Sequence, residues 1–134
     1  MAPDVLARKL AYLYRLLDDL EPYHGATLAE VEAEHYKIER LFELLVATAT
    51  DILFHVLAEK GIAPTSYRDA FAEAGKAGLL SQELAQRLGQ AAGMRNILVH
   101  LYEQIDYEIL HQSIRPALRD FAQFAAIFTP KVDE

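Results

Sequence analysis

Leu41-Phe42-Glu43-Leu44-Leu45-Val46-Ala47-Thr48-Ala49-Thr50-Asp51-Ile52-Leu53-Phe54-His55-Val56-Leu57 is the stretch that decides the fold. It is the second half of a segment with helical periodicity, free of proline and glycine from Thr27 to the stop at Gly61. Thr27 and Glu30 stand at capping-box spacing at its start. The first half is charged, through Glu30, Glu32, Glu34, Lys37, Glu39 and Arg40. The second half is too apolar for a surface helix with one buried side. It is expected at the centre of a bundle, covered by other helices or by another chain.

Outward from that helix, every segment keeps the same period. Leu6, Leu10, Leu13, Leu17 and Leu20 define an amphipathic helix from about Pro3 to Glu21, closed by Pro22 and Gly25. Charges such as Arg8 and Lys9 fall between these leucines, and Tyr12, Tyr14 and Tyr23 read as core and rim aromatics. Ser66 and Asp69 open a short helix that Gly75 and Gly78 end near Ala74 to Lys76. Ser81 caps the next helix, which passes through Gly93 into Arg95-Asn96-Ile97-Leu98-Val99-His100-Leu101-Tyr102. A last helix is predicted from Asp106 to Phe128, kinked or interrupted at Pro116, with the final four residues frayed. No segment alternates with the two-residue period of a strand. The expected architecture is an all-α bundle of four long helices plus a short one, forming one domain over residues 1–134.

Composition narrows the function. There is no cysteine, which removes disulfide and thiolate chemistry. Thirteen basic against twenty acidic residues give a net charge of −7, which counts against a broad grip on nucleic acid but leaves room for a local positive cleft. No signal peptide precedes the first amphipathic stretch, so a cytoplasmic location is the default. Apolar runs such as Leu44 to Ala49 are far too short to span a membrane.

Arg95 to Tyr102 is the place to look for chemistry. If the whole stretch is helical, Asn96 and His100 lie one turn apart, and Arg95 and Tyr102 share a line about 140° away from His100. Ile97, Leu101 and Ile105 step down another side and can face a core. A histidine alone on a helix is ordinarily structural and an arginine alone ordinarily a surface charge; the gathering of four different polar groups is what singles out this stretch. Asp51 is the second candidate, because a carboxylate in so apolar a run is costly to bury unpaired. Arg95, Tyr102 and His55 are its expected partners. Asp51 and His55, one turn apart, do not make a metal set, since no His-Glu-x-x-His pattern accompanies them. His24 and His35 lie among charges and are expected to be solvated.

The stretch resembles the Arg-x4-His-x-Tyr signature of HEPN domains, particularly the HepT-like toxins of prokaryotic toxin–antitoxin pairs. The surrounding sequence is similar too: Ile38-Glu39-Arg40-Leu41-Phe42-Glu43, Asp51-Ile52 with His55, Gly61 with Pro64, and Ser66-Tyr67. The likeness spans about residues 5–125. It implies a HEPN-type helical-bundle homodimer whose two motifs meet across a cleft, and a metal-independent endoribonuclease needing no cofactor. The implied partner is a nucleotidyltransferase antitoxin of the MNT type, which transfers AMP to the motif tyrosine, here Tyr102.

The residues suit that chemistry. RNA carries its own nucleophile, the 2′-OH, so cleavage requires a base, an acid and a cation rather than a metal-bound water, and DNA is not a substrate. Histidine can play either proton-transfer role near neutral pH. Arginine can grip a phosphate in a fork. Arg95 and His100 are therefore the expected catalytic pair, with Asn96 and Asp51 in support. Two other readings stay open: a non-catalytic subunit that binds a nucleotide or a nucleotidyltransferase partner, and a structural dimer whose motif only pairs helices.

Overall fold

The computed structural model describes residues 1–130, and all its regular elements among them are helical. Six α-helices follow in order: α1 (Pro3–Leu20), α2 (Leu28–Ala33), α3 (His35–Glu59), α4 (Tyr67–Lys76), α5 (Gln82–His100) and α6 (Tyr107–Phe128). Short 3₁₀ turns at Glu21–Tyr23 and Tyr102–Gln104 lie in two of the connections. The expectation for the last four residues falls outside the described part.

Helix α3 occupies the position its composition demands, packed against α1, α4, α5 and α6. Leu45, Val46, Ala49, Ile52, Leu53 and Leu57 are fully buried on it, and Phe71, Phe121 and Phe124 fill the same core from α4 and α6. Thr50, also buried, donates its hydroxyl proton to the Val46 carbonyl at 2.7 Å, which satisfies a polar group inside the core. Among the described residues α3 is the one helix long and apolar enough to cross a membrane, yet half of its apolar window is buried within this bundle.

Three boundaries differ from the sequence reading. The long segment expected from Thr27 to Gly61 is two helices, broken at Glu34 with φ −108° and ψ 19°. The capping box of Thr27 and Glu30 is formed. The chain just before it is tied to α6: His111 bonds the Ala26 carbonyl at 2.7 Å and Arg115 donates to the His24 carbonyl at 2.9 Å. Helix α2 therefore leans on α6, and the break at Glu34 lets α3 continue in its own direction. Pro116 does not interrupt α6. It and Gln112, whose carbonyl loses its helical partner there, are both exposed, so water can satisfy the freed group. The third difference is at the motif: α5 ends with His100, and Leu101 and Tyr102 lie beyond it.

The expected caps are present on α4 and α5. Ser66 accepts from the Asp69 N–H at 3.0 Å and Ser81 from the Leu84 N–H at 3.1 Å. Gly75 allows the two helices their closest approach, since a Cβ on it would stand 2.9 Å from the Ala85 Cβ. Farther along α5, Gly89 and Gly93 leave a shallow trough for the Arg68 side chain, whose Cγ and Nη1 lie 3.7 and 3.5 Å from where their Cβ atoms would be. This close α4–α5 packing brings Tyr67, the first residue of α4, beside the end of α5.

Candidate functional site

Arg95 is half-buried near the end of α5, with its guanidinium 4.6 Å from the centre of the Tyr67 ring. That is cation–π geometry, which fixes the planar cation against an aromatic face. Its Nε is buried without a hydrogen-bond partner, and its Nη1 donates a long bond of 3.5 Å to the Asn96 Oδ1. The arginine is therefore held by stacking while keeping donors free. The Tyr67 ring in turn lies 6.2 Å from Phe54 of α3.

His100 and Tyr102 are both exposed, and neither side chain has a hydrogen bond or ion pair among the described residues. His100 is the last residue of α5. The chain turns at Leu101 (φ −125°, ψ 38°), and Asp106 caps α6 by accepting from the Glu108 and Ile109 N–H groups at 2.9 and 3.3 Å. Tyr102 thus does not continue the helical line of Arg95. The residue, 69 % exposed, stands on the connection between the last two long helices. Ile97 and Leu101, expected to face a core, are 43 % and 46 % exposed, and Leu98 takes the buried position instead.

Asp51 is neither deeply buried nor joined to Arg95 or Tyr102. Its Oδ2 accepts from Lys9 Nζ of α1, and its Oδ1 is 3.7 Å from His55 Nε2. About half of the carboxylate side chain remains exposed. Of the expected partners only His55 is near, and the stronger one, Lys9, is 42 residues away in sequence. Among the described residues no three His, Cys, Asp or Glu side chains group together as a metal site. The lysine and carboxylate border a cleft of about 560 Å³ between α1 and α3, lined also by Arg8, Tyr12, Thr48 and Tyr67.

A second group escaped the sequence reading. Asp120 of α6, 5 % exposed, accepts from Arg87 Nε of α5 at 3.0 Å and from Arg119 Nε at 2.9 Å. Hydrogen bonding to Asp120, then its charge, raises the Arg119 pKa above its ordinary value. These residues border a cleft of about 400 Å³ between α5 and α6 that also includes Met94. Only the apolar surroundings of Asp120 in α6 hinted at a buried partner. His35 is another correction: it is half-buried, hydrogen-bonded to Glu39, and packed against the rings of Tyr36 and Tyr107 at 3.9 and 5.1 Å.

A half-buried arginine and an exposed histidine near the end of a bundle helix, followed by an exposed tyrosine, can be compared with known proteins. A family described as ribonuclease HepT-like matches residues 11–127. The chain is 32 % identical to the tRNA nuclease HepT of Aphanizomenon flos-aquae, over 89 % of this chain and 84 % of that protein. It is 25 % identical to the mRNA nuclease HepT of Shewanella oneidensis, over 90 % and 93 % of the two chains. Its fold matches that of the tri-AMPylated HEPN toxin of Shewanella oneidensis, solved in complex with MNT antitoxin. That match has a TM-score of 0.84 at 23 % identity, covering 94 % of this chain and 97 % of the other. With the profile spanning nearly the whole bundle and carrying the Arg95–Tyr102 stretch inside it, this chain belongs to the HepT-like ribonuclease family.

Proposed function

We propose that this HepT-like ribonuclease is the toxin of a toxin–antitoxin pair, a metal-independent endoribonuclease that acts as a homodimer of one-domain chains in the cytoplasm. Arg95 and His100 are its catalytic residues, Asn96 and Asp51 support them, and a nucleotidyltransferase antitoxin silences it by adding AMP to Tyr102. The observation that carries the reading is the free state of the motif. His100 and Tyr102 are exposed and unpaired among the described residues, and Arg95 is stacked on Tyr67 with donors to spare. Buried polar groups are ordinarily engaged, so the unpartnered buried Nε of Arg95 is the exception that calls for a role beyond packing.

In this mechanism a base removes the 2′-OH proton, and the oxygen attacks the neighbouring phosphorus. The bond to the 5′-oxygen breaks, and an acid protonates that leaving oxygen. A 2′,3′-cyclic phosphate and a 5′-hydroxyl result. Histidine suits both proton transfers, and arginine stabilises the charge that develops on the phosphoryl oxygens. Each chain brings one motif histidine, about 140° around α5 from Arg95. Two chains supply a base and an acid together. The exposed Ile97 and Leu101 beside the motif are suited to covering by a second copy.

For control, the Tyr102 oxygen would attack the α-phosphorus of ATP, releasing pyrophosphate and the phenolic proton. The adduct would add a negative phosphodiester and a nucleoside two residues beyond His100, at the edge of the motif, and so block RNA by both charge and bulk. Support comes from the relatives, two of them named as nucleases and one solved as an AMPylated toxin with MNT antitoxin.

The test is RNA cleavage by the unmodified protein in the presence of chelator, beside His100→Ala. Loss of an acid–base group is expected to slow turnover by about 10²–10⁴-fold. Full activity in His100→Ala ends the catalytic assignment. Binding of RNA or of the antitoxin with no turnover in either protein favours the non-catalytic subunit instead.

A further inference from the structure

The cleft between α1 and α3 contains Asp51, assigned above as a supporting residue, and shares Tyr67 with the motif. Tyr67 lines the cleft and carries the Arg95 guanidinium on its ring. Along α1, Val5, Arg8, Lys9 and Tyr12 recur at the three- and four-residue spacing of one helix face, opposite Ala47, Thr48, Asp51 and Phe54 of α3. The volume of about 560 Å³ is in the range of small-ligand sites.

Its chemistry is specific. Arg8 has no ion-pair or hydrogen-bond partner among the described residues, in a chain with seven more acidic than basic side chains. Lys9 is fixed by Asp51. The Tyr67 ring is taken up by Arg95 and Phe54, whereas Tyr12 is 41 % exposed and unstacked among the described residues. An unpaired cation one helical turn from a free aromatic ring suits a phosphate joined to a base. Arg8 would hold the phosphate as Arg95 holds another, and Tyr12 would stack the base. The Thr48 hydroxyl and the Asp51 carboxylate can meet polar edges of the base or ribose.

We infer that the α1–α3 cleft is a subsite for one ribonucleotide flanking the cleaved phosphate, with Tyr12 as stacking platform and Arg8 as phosphate contact. This rests on the ribonuclease reading above. It would give an acidic protein a local hold on RNA through the unpaired Arg8 in the cleft and Arg95 beyond Tyr67, rather than through overall charge.

The experiment measures binding of a short, fluorescein-labelled 2′-O-methyl RNA, which lacks the attacking hydroxyl and so reports binding in the absence of cleavage. Wild type is compared with Tyr12→Ala, Tyr12→Phe, Arg8→Gln and, as a charge control at the far end of α4, Lys76→Gln. Tyr12→Ala is expected to weaken binding by about tenfold, the loss of one base–aromatic stack. Tyr12→Phe should stay within about twofold of wild type, because it keeps the stacking face. Arg8→Gln should weaken binding and flatten its salt dependence, with Lys76→Gln unchanged. In cleavage of ordinary RNA, the Tyr12→Ala loss should fall on KM and leave kcat in place. Wild-type affinity in Tyr12→Ala overturns the subsite, and so does an equal loss in Lys76→Gln and Arg8→Gln. A wild type that binds the analogue through Tyr12 and Arg8 but never cleaves RNA refutes the nuclease mechanism and leaves the subsite standing.

Discussion

Replacing Asp51 by asparagine separates two accounts of a carboxylate in an apolar helix. Read from sequence, Asp51 is a buried charge whose loss of a partner would cost about 3–5 kcal/mol. The structure gives a different magnitude. The carboxylate side chain is 45 % exposed and the Lys9 side chain 29 % exposed, so solvent screens both members. A pair of this kind contributes about 0.2–1 kcal/mol. The second neighbour, His55, is 3.7 Å away and 52 % exposed, which adds little. Asp51→Asn keeps the shape and removes the charge, so the melting temperature is expected to fall by no more than about 5 °C. A double-mutant cycle with Lys9→Met should return a coupling of about 0.5 kcal/mol. Cleavage should suffer more, by between about 10- and 100-fold, because Lys9 loses the group that positions it beside the RNA. A drop in melting temperature above about 10 °C would show a desolvated pair and refute the screening argument. Undiminished cleavage would remove Asp51 from the supporting residues.

Three further outcomes follow from the geometry. Incubation with the nucleotidyltransferase partner and ATP should add AMP to wild type but not to Tyr102→Phe by mass spectrometry; an equal adduct on both places the modification elsewhere. Leu101→Glu and Ile97→Glu, at exposed positions beside the motif, should shift the protein from dimer to monomer in light scattering with the helical content retained. A monomeric wild type at micromolar concentration contradicts the homodimer. Gly75→Ala should lower the melting temperature, since about 1 kcal/mol of helix propensity is outweighed by an overpacking cost of about 1–3 kcal/mol where the new methyl meets Ala85 Cβ at 2.9 Å. Adding Ala85→Gly should restore it; a rise in Gly75→Ala alone would mean that the contact yields.

The sequence by itself determined the helical class, the central place of α3 and most of the helix caps. These rest on periodicity and on bonds between residues three or four apart, both legible along one chain: Thr27 with Glu30, Ser66 with Asp69, Ser81 with Leu84. It also located the motif, whose residues are neighbours in sequence. The tertiary structure decided everything that depends on which helices meet. Lys9 rather than Arg95 holds Asp51, because α1 packs on α3 across 42 residues of chain. Arg95 is stacked on Tyr67 because the glycine-permitted approach of α4 and α5 brings the ring there. The break at Glu34 follows from bonds that pull the chain before α2 onto α6, and no proline or glycine announces it. Tyr102 left the helical line because the chain must turn between α5 and the Asp106 cap of α6. Local hydrogen bonds and side-chain period are properties of a segment, whereas ion pairs and stacking between helices are set by packing, which sequence neighbours do not encode.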